Sequence, residues 1–309
     1  MTRLRRYGCL AGLLLLGGCG SDVQSVLAPG GIEASRIAQL AWMLFGFGTL
    51  VLAMVMAAAW LAIRGSPRIR RALAREKTVV ALGIAFPAAA LTLLLGHGVW
   101  LMRSHLATAD ERDMARIEVT GEQWWWRVTY TGADGIAVAS ANEIRIPVGR
   151  PVEFTLKAAD VIHSFWVPSL GGKVDMIPGR TTRLRLTAER PGVYRGQCAE
   201  YCGGPHALMA FQVLAMPAPG YAAWLQREAA PAAAATTDAE RRGQSLFVAA
   251  GCGACHTVRG TAAAGALGPD LTHIGARSSV GIDTLPLTQA NLVRFIVEGQ
   301  HIKPANLMP

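Results

Sequence analysis

Charge is missing from two long stretches of this 309-residue chain. Ile37 to Ile63 is 27 residues without Asp, Glu, Lys or Arg, and Thr78 to Met102 is 25 more. Each exceeds the ~20 residues that carry a helix across ~30 Å of hydrocarbon. Transmembrane helices are therefore predicted over 37–63 and 78–102, with a buried helical hairpin in a soluble protein as the alternative. Internal repeats are also missing, which excludes a solenoid or an array. So is any candidate nucleophile or acid–base pair. Positive charge is in excess, with a net +9, but not on a folded face. Arg3, Arg5 and Arg6 hold part of it, and the segment 64–77 holds most of the rest. A nucleic-acid partner is not expected from that distribution. Basic residues between two apolar runs resist translocation, so the 64–77 loop is expected in the cytoplasm, with both flanking regions outside.

The first 18 residues have a basic start, a short apolar stretch and small residues, as a secretory signal does. Leu16-Gly17-Gly18-Cys19 resembles a lipoprotein processing box, which makes Cys19 the expected lipidated residue, ahead of an external segment over 19–36. Cys9 lies in the leader and is given no role. From 110 to 217 the stretches "RIEVTGEQWWWRVTY", "NEIRIPVGRPVEFTLKA" and "GVYRGQC" alternate apolar and polar residues between Gly and Pro punctuation. Short antiparallel strands in a sandwich or barrel are expected there. The Ala/Pro-rich segment 218–238 reads as a linker, and 239–309 as a helical domain.

"QCAEYCGGPHALM" sets Cys198, Glu200, Cys202, His206 and Met209 close together. On the oxidising side of a membrane the cysteines can form a disulfide or hold zinc. Thiolate, imidazole and thioether together form a copper set, because a thioether is a poor zinc ligand and a good soft one. "CGACH" over 252–256 is the covalent haem signature, with Cys252 and Cys255 as attachment points and His256 as axial ligand. A thioredoxin-like C-x-x-C would not need that histidine.

"HSFWVPSLGGKVDMIPG" followed by "GQCAEYCGGPHALM" resembles subunit II of the haem–copper cytochrome c oxidases over roughly residues 30–225, and the rest resembles a class I cytochrome c. The combination is similar to the caa-type enzymes. The resemblance implies a two-helix membrane hairpin, an all-β cupredoxin-like barrel and an all-α cytochrome c domain. It implies a binuclear copper A centre held by the side chains of His163, Cys198, Cys202, His206 and Met209 and the main-chain carbonyl of Glu200. In the family the Glu200 carboxylate also meets magnesium at the subunit I interface. Trp124 takes the position at which electrons arrive, with Trp125 or Trp126 left to packing. The haem c iron gains Met308 as sixth ligand, and the Pro269 carbonyl accepts from the ring of His256. His273 and His301 are read as loop histidines.

The implied partners are oxidase subunits I and III and a cytochrome c donor, in a bacterial inner membrane, with both redox domains on the periplasmic face. The implied activity is electron transfer within a proton-translocating oxidase, oxygen being reduced in subunit I. A copper A nitric oxide reductase and a stand-alone tethered carrier remain as alternatives. Two departures from the family pattern stand out. The cytochrome domain stops at Pro309, which makes it read as truncated and leaves Leu246 and Phe247 without a helical partner. The glutamate expected near Val80 is absent, and Glu76, one turn earlier, is the nearest stand-in for a proton role.

Overall fold

A computed structural model describes residues 24–106, 114–132 and 135–309, without the side chains of 102–106. Cys9 and Cys19 lie outside the described residues. The chain divides into a helical unit, Arg36–Ala115, and a second unit holding Met1–Ser35 and Arg116–Pro309.

In the helical unit, α1 spans Ile32–Arg64 and α2 Pro67–Leu73. Then α3 (Glu76–Val80) runs through a π-helical turn, Ala81–Ala85, into α4 (Phe86–Leu106). Their apolar windows have mean hydropathies of 2.1 and 2.3 and are not buried. Such faces need an apolar solvent, and the two helices are long enough for a bilayer. The basic segment read as a loop is largely helical, α2 starting on Pro67 at a favoured first-turn position. Glu76 begins α3 and is exposed.

The second unit opens with a strap. Gly30 N donates to Ser169 O, Ile32 N to Thr187 O, and Thr187 N to the Glu33 carboxylate, at 2.7, 3.1 and 2.9 Å. Ten strands then form two five-stranded sheets. The first has the order β3 (Ala137–Ala141), β2 (Trp125–Thr131), β1 (Ala115–Glu122), β5 (Val152–Ala158), β8 (Thr182–Leu186). The second has the order β4 (Glu143–Pro147), β10 (Ala210–Met216), β9 (Gly192–Cys198), β6 (His163–Trp166), β7 (Val174–Met176). The strand alternation puts Ile117 and Val119 of β1, and Trp126, Val128 and Tyr130 of β2, inside at 0–1% exposure. One pairing departs from the antiparallel expectation: β4 and β10 run parallel, Val213 beside Ile144. The long excursion between them permits this, since parallel neighbours need a crossover.

An aromatic cluster closes the core between the sheets. Phe165 stacks on Phe211 at 4.6 Å, lies 5.1 Å from Phe154 and meets the edge of Trp126 at 5.9 Å. Trp126 also donates Nε1–H to Ala210 O, so its one polar atom is satisfied although the residue is 0% exposed.

The segment read as a linker begins instead as α5 (Ala218–Ala229). Its alanines favour helix, and its buried face holds Tyr221, Trp224 and Glu228. Trp224 packs edge-on against Tyr130 at 5.0 Å. The cytochrome-like region follows with α6 (Asp238–Ala249), a two-residue ladder β11 (Ser279–Val280) and β12 (Leu285–Pro286), α7 (Gln289–Val297) and α8 (Gly299–Ile302). The β11–β12 ladder is an addition to the expected all-α pattern. A capping box starts α6, in which Glu240 N–H bonds the Thr237 hydroxyl and the Glu240 carboxylate reaches back to Thr237 N.

Two outcomes test this packing and capping. Phe165→Ala should cost about 3–5 kcal/mol, read as a lower denaturant midpoint of the full chain. The backbone amides of Thr237 and Thr236 hold the Glu240 carboxyl down to about 2, from 4.5. Its contribution to the cap is therefore complete above pH 4.5 and lost as pH falls through 2. A carboxyl titration followed by NMR should place Glu240 in that window, and Thr237→Pro, which removes the leading amide donor, should move it back toward 4.5.

Candidate metal and haem sites

Cys198 ends β9 and pairs across the ladder with Phe165 of β6, so His163, two residues before Phe165, arrives beside it. Cys198 Sγ lies 3.8 Å from His163 Nδ1, 3.8 Å from Cys202 Sγ and 3.3 Å from Glu200 O. Cys202 Sγ lies 3.4 Å from His206 Nδ1 and 3.7 Å from Met209 Sδ. The whole predicted set thus converges around two sulfurs that are free thiols, with Cys198, Cys202, Met209 and His163 all buried. His163, Cys198 and Cys202 alone already meet the geometric requirement for holding an ion. The disulfide alternative is not what the structure holds, and the soft donors fit copper.

The loop is braced from within. Cys198 N donates to Met209 O, Met209 N to His206 O, and His206 N to Gly203 O, at 2.9, 3.0 and 3.2 Å. The thiols titrate as a pair. The hydrogen bond from Cys202 holds Cys198 far below the usual thiol range, to about 4, with help from His163. Cys202 is pushed up in turn, by that same bond and by burial. Burial opposes a proton on His163, but its bonds to Cys198 and Asp160 outweigh this and raise its pKa. A bound cation displaces these protons, since thiolate and neutral imidazole are the ligating forms.

Two groups around this set carry no sequence motif. Asp160 accepts from His163 Nε2 at 2.8 Å, from Gln123 N at 2.6 Å and from Val161 N at 2.7 Å. It fixes the ring so that Nδ1 faces the sulfurs. Gly121 passes so close to that ring that an added Cβ would lie 2.8 Å from its carbon. The only signals in the sequence are an acid three residues before a ligand and a glycine inside a strand.

Trp124 is not on the strand with its neighbours but in the turn before β2. It is 9% exposed and donates Nε1–H to Cys202 O at 2.9 Å, where Gln123 Nε2 also donates at 2.8 Å. Trp126 is core, and Trp125 is half-buried with Arg127 over its ring at 4.7 Å. The Glu200 carboxylate points the other way, 3.7 Å from Lys173 Nζ.

In the second site, Cys252 and Cys255 are free thiols on a tight turn, and His256 N closes it onto Cys252 O at 3.0 Å. His256 Nδ1 lies 2.8 Å from Pro269 O, which leaves Nε2 as the ligating atom. Gly268 makes room for this ring, its missing Cβ falling 2.6 Å from the ring carbon. The Met308 methyl lies against Gly299. Leu267 and Leu307, beside Gly268 and Met308, are 76% and 86% exposed, apolar surface of the kind a porphyrin face covers. The residues therefore fit a covalent haem. His273 is tied to Ala230 O at 3.0 Å, and His301 is exposed.

The two regions share a polar interface. Arg277 reaches Glu228 Oε1 at 2.8 Å and Ser140 Oγ at 2.7 Å, with both charged side chains at 7% exposure or less. Ser278 donates to the Glu143 carboxylate, and Arg127 to Ala266 O at 2.8 Å.

Residues 136–216 match the family profile of the cytochrome c oxidase subunit II periplasmic domain, and residues 240–309 match that of cytochrome c. These two matches cover separate parts of the chain, the first over the sandwich and the second over the haem-attachment region. It is 40% identical over 193 residues to cytochrome c oxidase subunit 2 of Alkalihalophilus pseudofirmus, covering 62% of this chain and 55% of that protein. Against the Bacillus subtilis protein of the same name it is 29% identical over 322 residues, covering 96% and 88%. The chain thus spans about half the length of the first relative and most of the second. The crystal structure of the periplasmic domain of cytochrome oxidase subunit II from Bradyrhizobium japonicum is 31% identical, covering 37% of this chain and 92% of its own, with a TM-score of 0.35.

Asp160→Asn keeps the size of the side chain and weakens its hold on His163. Copper affinity should fall about 10–100-fold, measured by competition with a chromogenic chelator, while the apo fold is retained.

Proposed function

We propose that this subunit II chain is the electron-transfer subunit of a haem–copper terminal oxidase. It takes electrons from a cytochrome c and passes them, through a covalent haem and a binuclear copper centre, to the oxygen-reducing subunit I. The observation that carries this reading is the convergence of Cys198, Cys202, His163, His206 and Met209 with the Glu200 carbonyl, in the same unit as a CxxCH turn. Bound there, a copper pair and a haem supply reversible one-electron chemistry that no side chain offers.

The chain's own residues hold, orient and shield. Cys198 and Cys202 would hold the copper ions as thiolates, with His163 and His206 as the imidazole ligands. Met209 and the Glu200 carbonyl are the weak outer donors. Strands β6, β9 and β10 fix these positions, which keeps geometry constant between oxidation states and the cost of reorganisation low. Trp126, Phe165 and Phe211 keep water from the inner side. In the haem site, Cys252 and Cys255 would attach a haem, His256 would ligate through Nε2, and Met308 would serve as the second, soft ligand that raises the potential. The apolar helices α1 and α3–α4 anchor the chain in a bacterial membrane, with both redox regions on its outer face.

Cys202→Ser should abolish the visible and near-infrared copper absorption of the holo-chain and leave the c-type haem bands unchanged. A copper spectrum that persists in this variant removes the binuclear assignment. Loss of haem bands in Cys252→Ser, with copper intact, is the matching result for the second site.

A further inference from the structure

Lys303 is a charged residue of the cytochrome region buried at 3% exposure, and unlike Arg277 it has no carboxylate beside it among the described residues. Its Nζ donates to Trp124 O at 2.5 Å and to Leu208 O at 3.4 Å. Both acceptors are main-chain carbonyls of the copper-binding region. Leu208 immediately precedes Met209, and Trp124 holds Cys202 O through its indole N–H. No carboxylate partner for Lys303 is found among the described residues. Burial without a counter-ion is costly, and an apolar side chain of similar length would fill the same space at less cost. Packing alone therefore does not account for a lysine here.

The other end of the same loop carries Met308. Asn306 Nδ2 donates to Lys303 O at 2.7 Å and to Gly299 O at 3.0 Å, and its Oδ1 accepts from Met308 N at 2.9 Å. Gln300 Nε2 donates to Met308 O at 3.0 Å and to Asn306 O at 2.8 Å. Lys303 and Met308 are thus opposite ends of one internally bonded piece of chain. Lys303 plugs that piece into the copper loop.

We propose that Lys303 is a positioning residue that seats the Met308 loop on Trp124 and Leu208. This seating couples the haem-attachment domain to the copper loop through Trp124 and closes Trp124 to protein donors from outside. An incoming cytochrome then meets the cytochrome domain, and Trp124 receives electrons only from within the chain. The inference rests on the two-centre reading above. Per turnover one electron leaves the reduced haem iron and one arrives at the copper pair.

The test uses the full chain in detergent, loaded with copper and haem, and compares wild type with Lys303→Met. Both absorption signatures should persist in the variant. After a photoexcited ruthenium complex delivers an electron to the haem, its passage to copper should slow by about tenfold or more, as misplaced reacting groups do. Deuterium uptake in 121–127 and 203–209 should rise. An unchanged rate and unchanged uptake overturn the proposal, and so does a variant that loses copper while keeping wild-type protection of 121–127. Acetylation of the wild-type chain by an amine-reactive ester decides the matter if the variant fails to fold. Lys157 and Lys173, with side chains 42% and 48% exposed, should react readily while Lys303 does not. Equal labelling of Lys303 overturns the seating. Missing copper or haem bands in wild type refute the two-centre reading instead, with the labelling of Lys303 still deciding the docking.

Discussion

The lateral pairing of β6 with β9 is the constraint from which the metal site follows. Phe165 opposite Cys198 brings His163 across 35 residues of chain to 3.8 Å from a thiol. The same pairing stacks Phe165 on Phe211 at the core, so the register that packs the sandwich is the register that assembles the donors. A slip of one residue would turn His163 to the other face and expose Phe165. Core and site are therefore not separable in this domain. The aromatic cluster that stabilises the fold is also the inner wall of the donor set, with Trp126 6.2 Å from the His163 ring.

Much of this is legible in the amino-acid sequence. Uncharged runs give membrane-length helices, because a bilayer imposes a minimum length. CxxCH and the thiol-rich loop are local, so spacing alone carries their chemistry. What escapes is non-local. The parallel β4–β10 pair depends on which strands become neighbours, and alternation within a strand does not encode that. Trp124 reads as a strand residue within "QWWWR", yet it turns inward beneath Cys202, because Gln123 and Trp124 form the bend that lets both donate to one carbonyl. Ala-rich composition hides α5 inside an expected linker, since alanine serves helices and flexible segments alike. Its register becomes visible only through Tyr221, Trp224 and Glu228, whose partners are far away along the chain. Asp160 and Gly121 shape His163 by contact, and neither type of residue announces such a role.

The interface between the two redox regions is polar where the sandwich core is not. Most of its contacts join a side chain of one region to a carbonyl or carboxylate of the other, as with Arg145 on Ala276 O and Gln212 on Asp283. Directional bonds of this kind specify orientation more than affinity. Affinity need not come from the contact itself, because the regions are joined by the short segment 230–237. A tether raises the effective concentration of one surface at the other, so a modest interface stays closed.

The Arg277–Glu228 pair at that interface has a further consequence for how the chain responds to salt. Its side chains are 7% and 4% exposed, so mobile ions reach it poorly. Surface charge pairs between separate proteins weaken over a Debye length of about 8 Å at physiological ionic strength. Rising ionic strength therefore acts unequally on exposed charge pairs and on this one. It weakens the exposed pairs and leaves the covalently joined, desolvated junction in place. The seating of one region on the other is thereby the contact least sensitive to the surrounding medium.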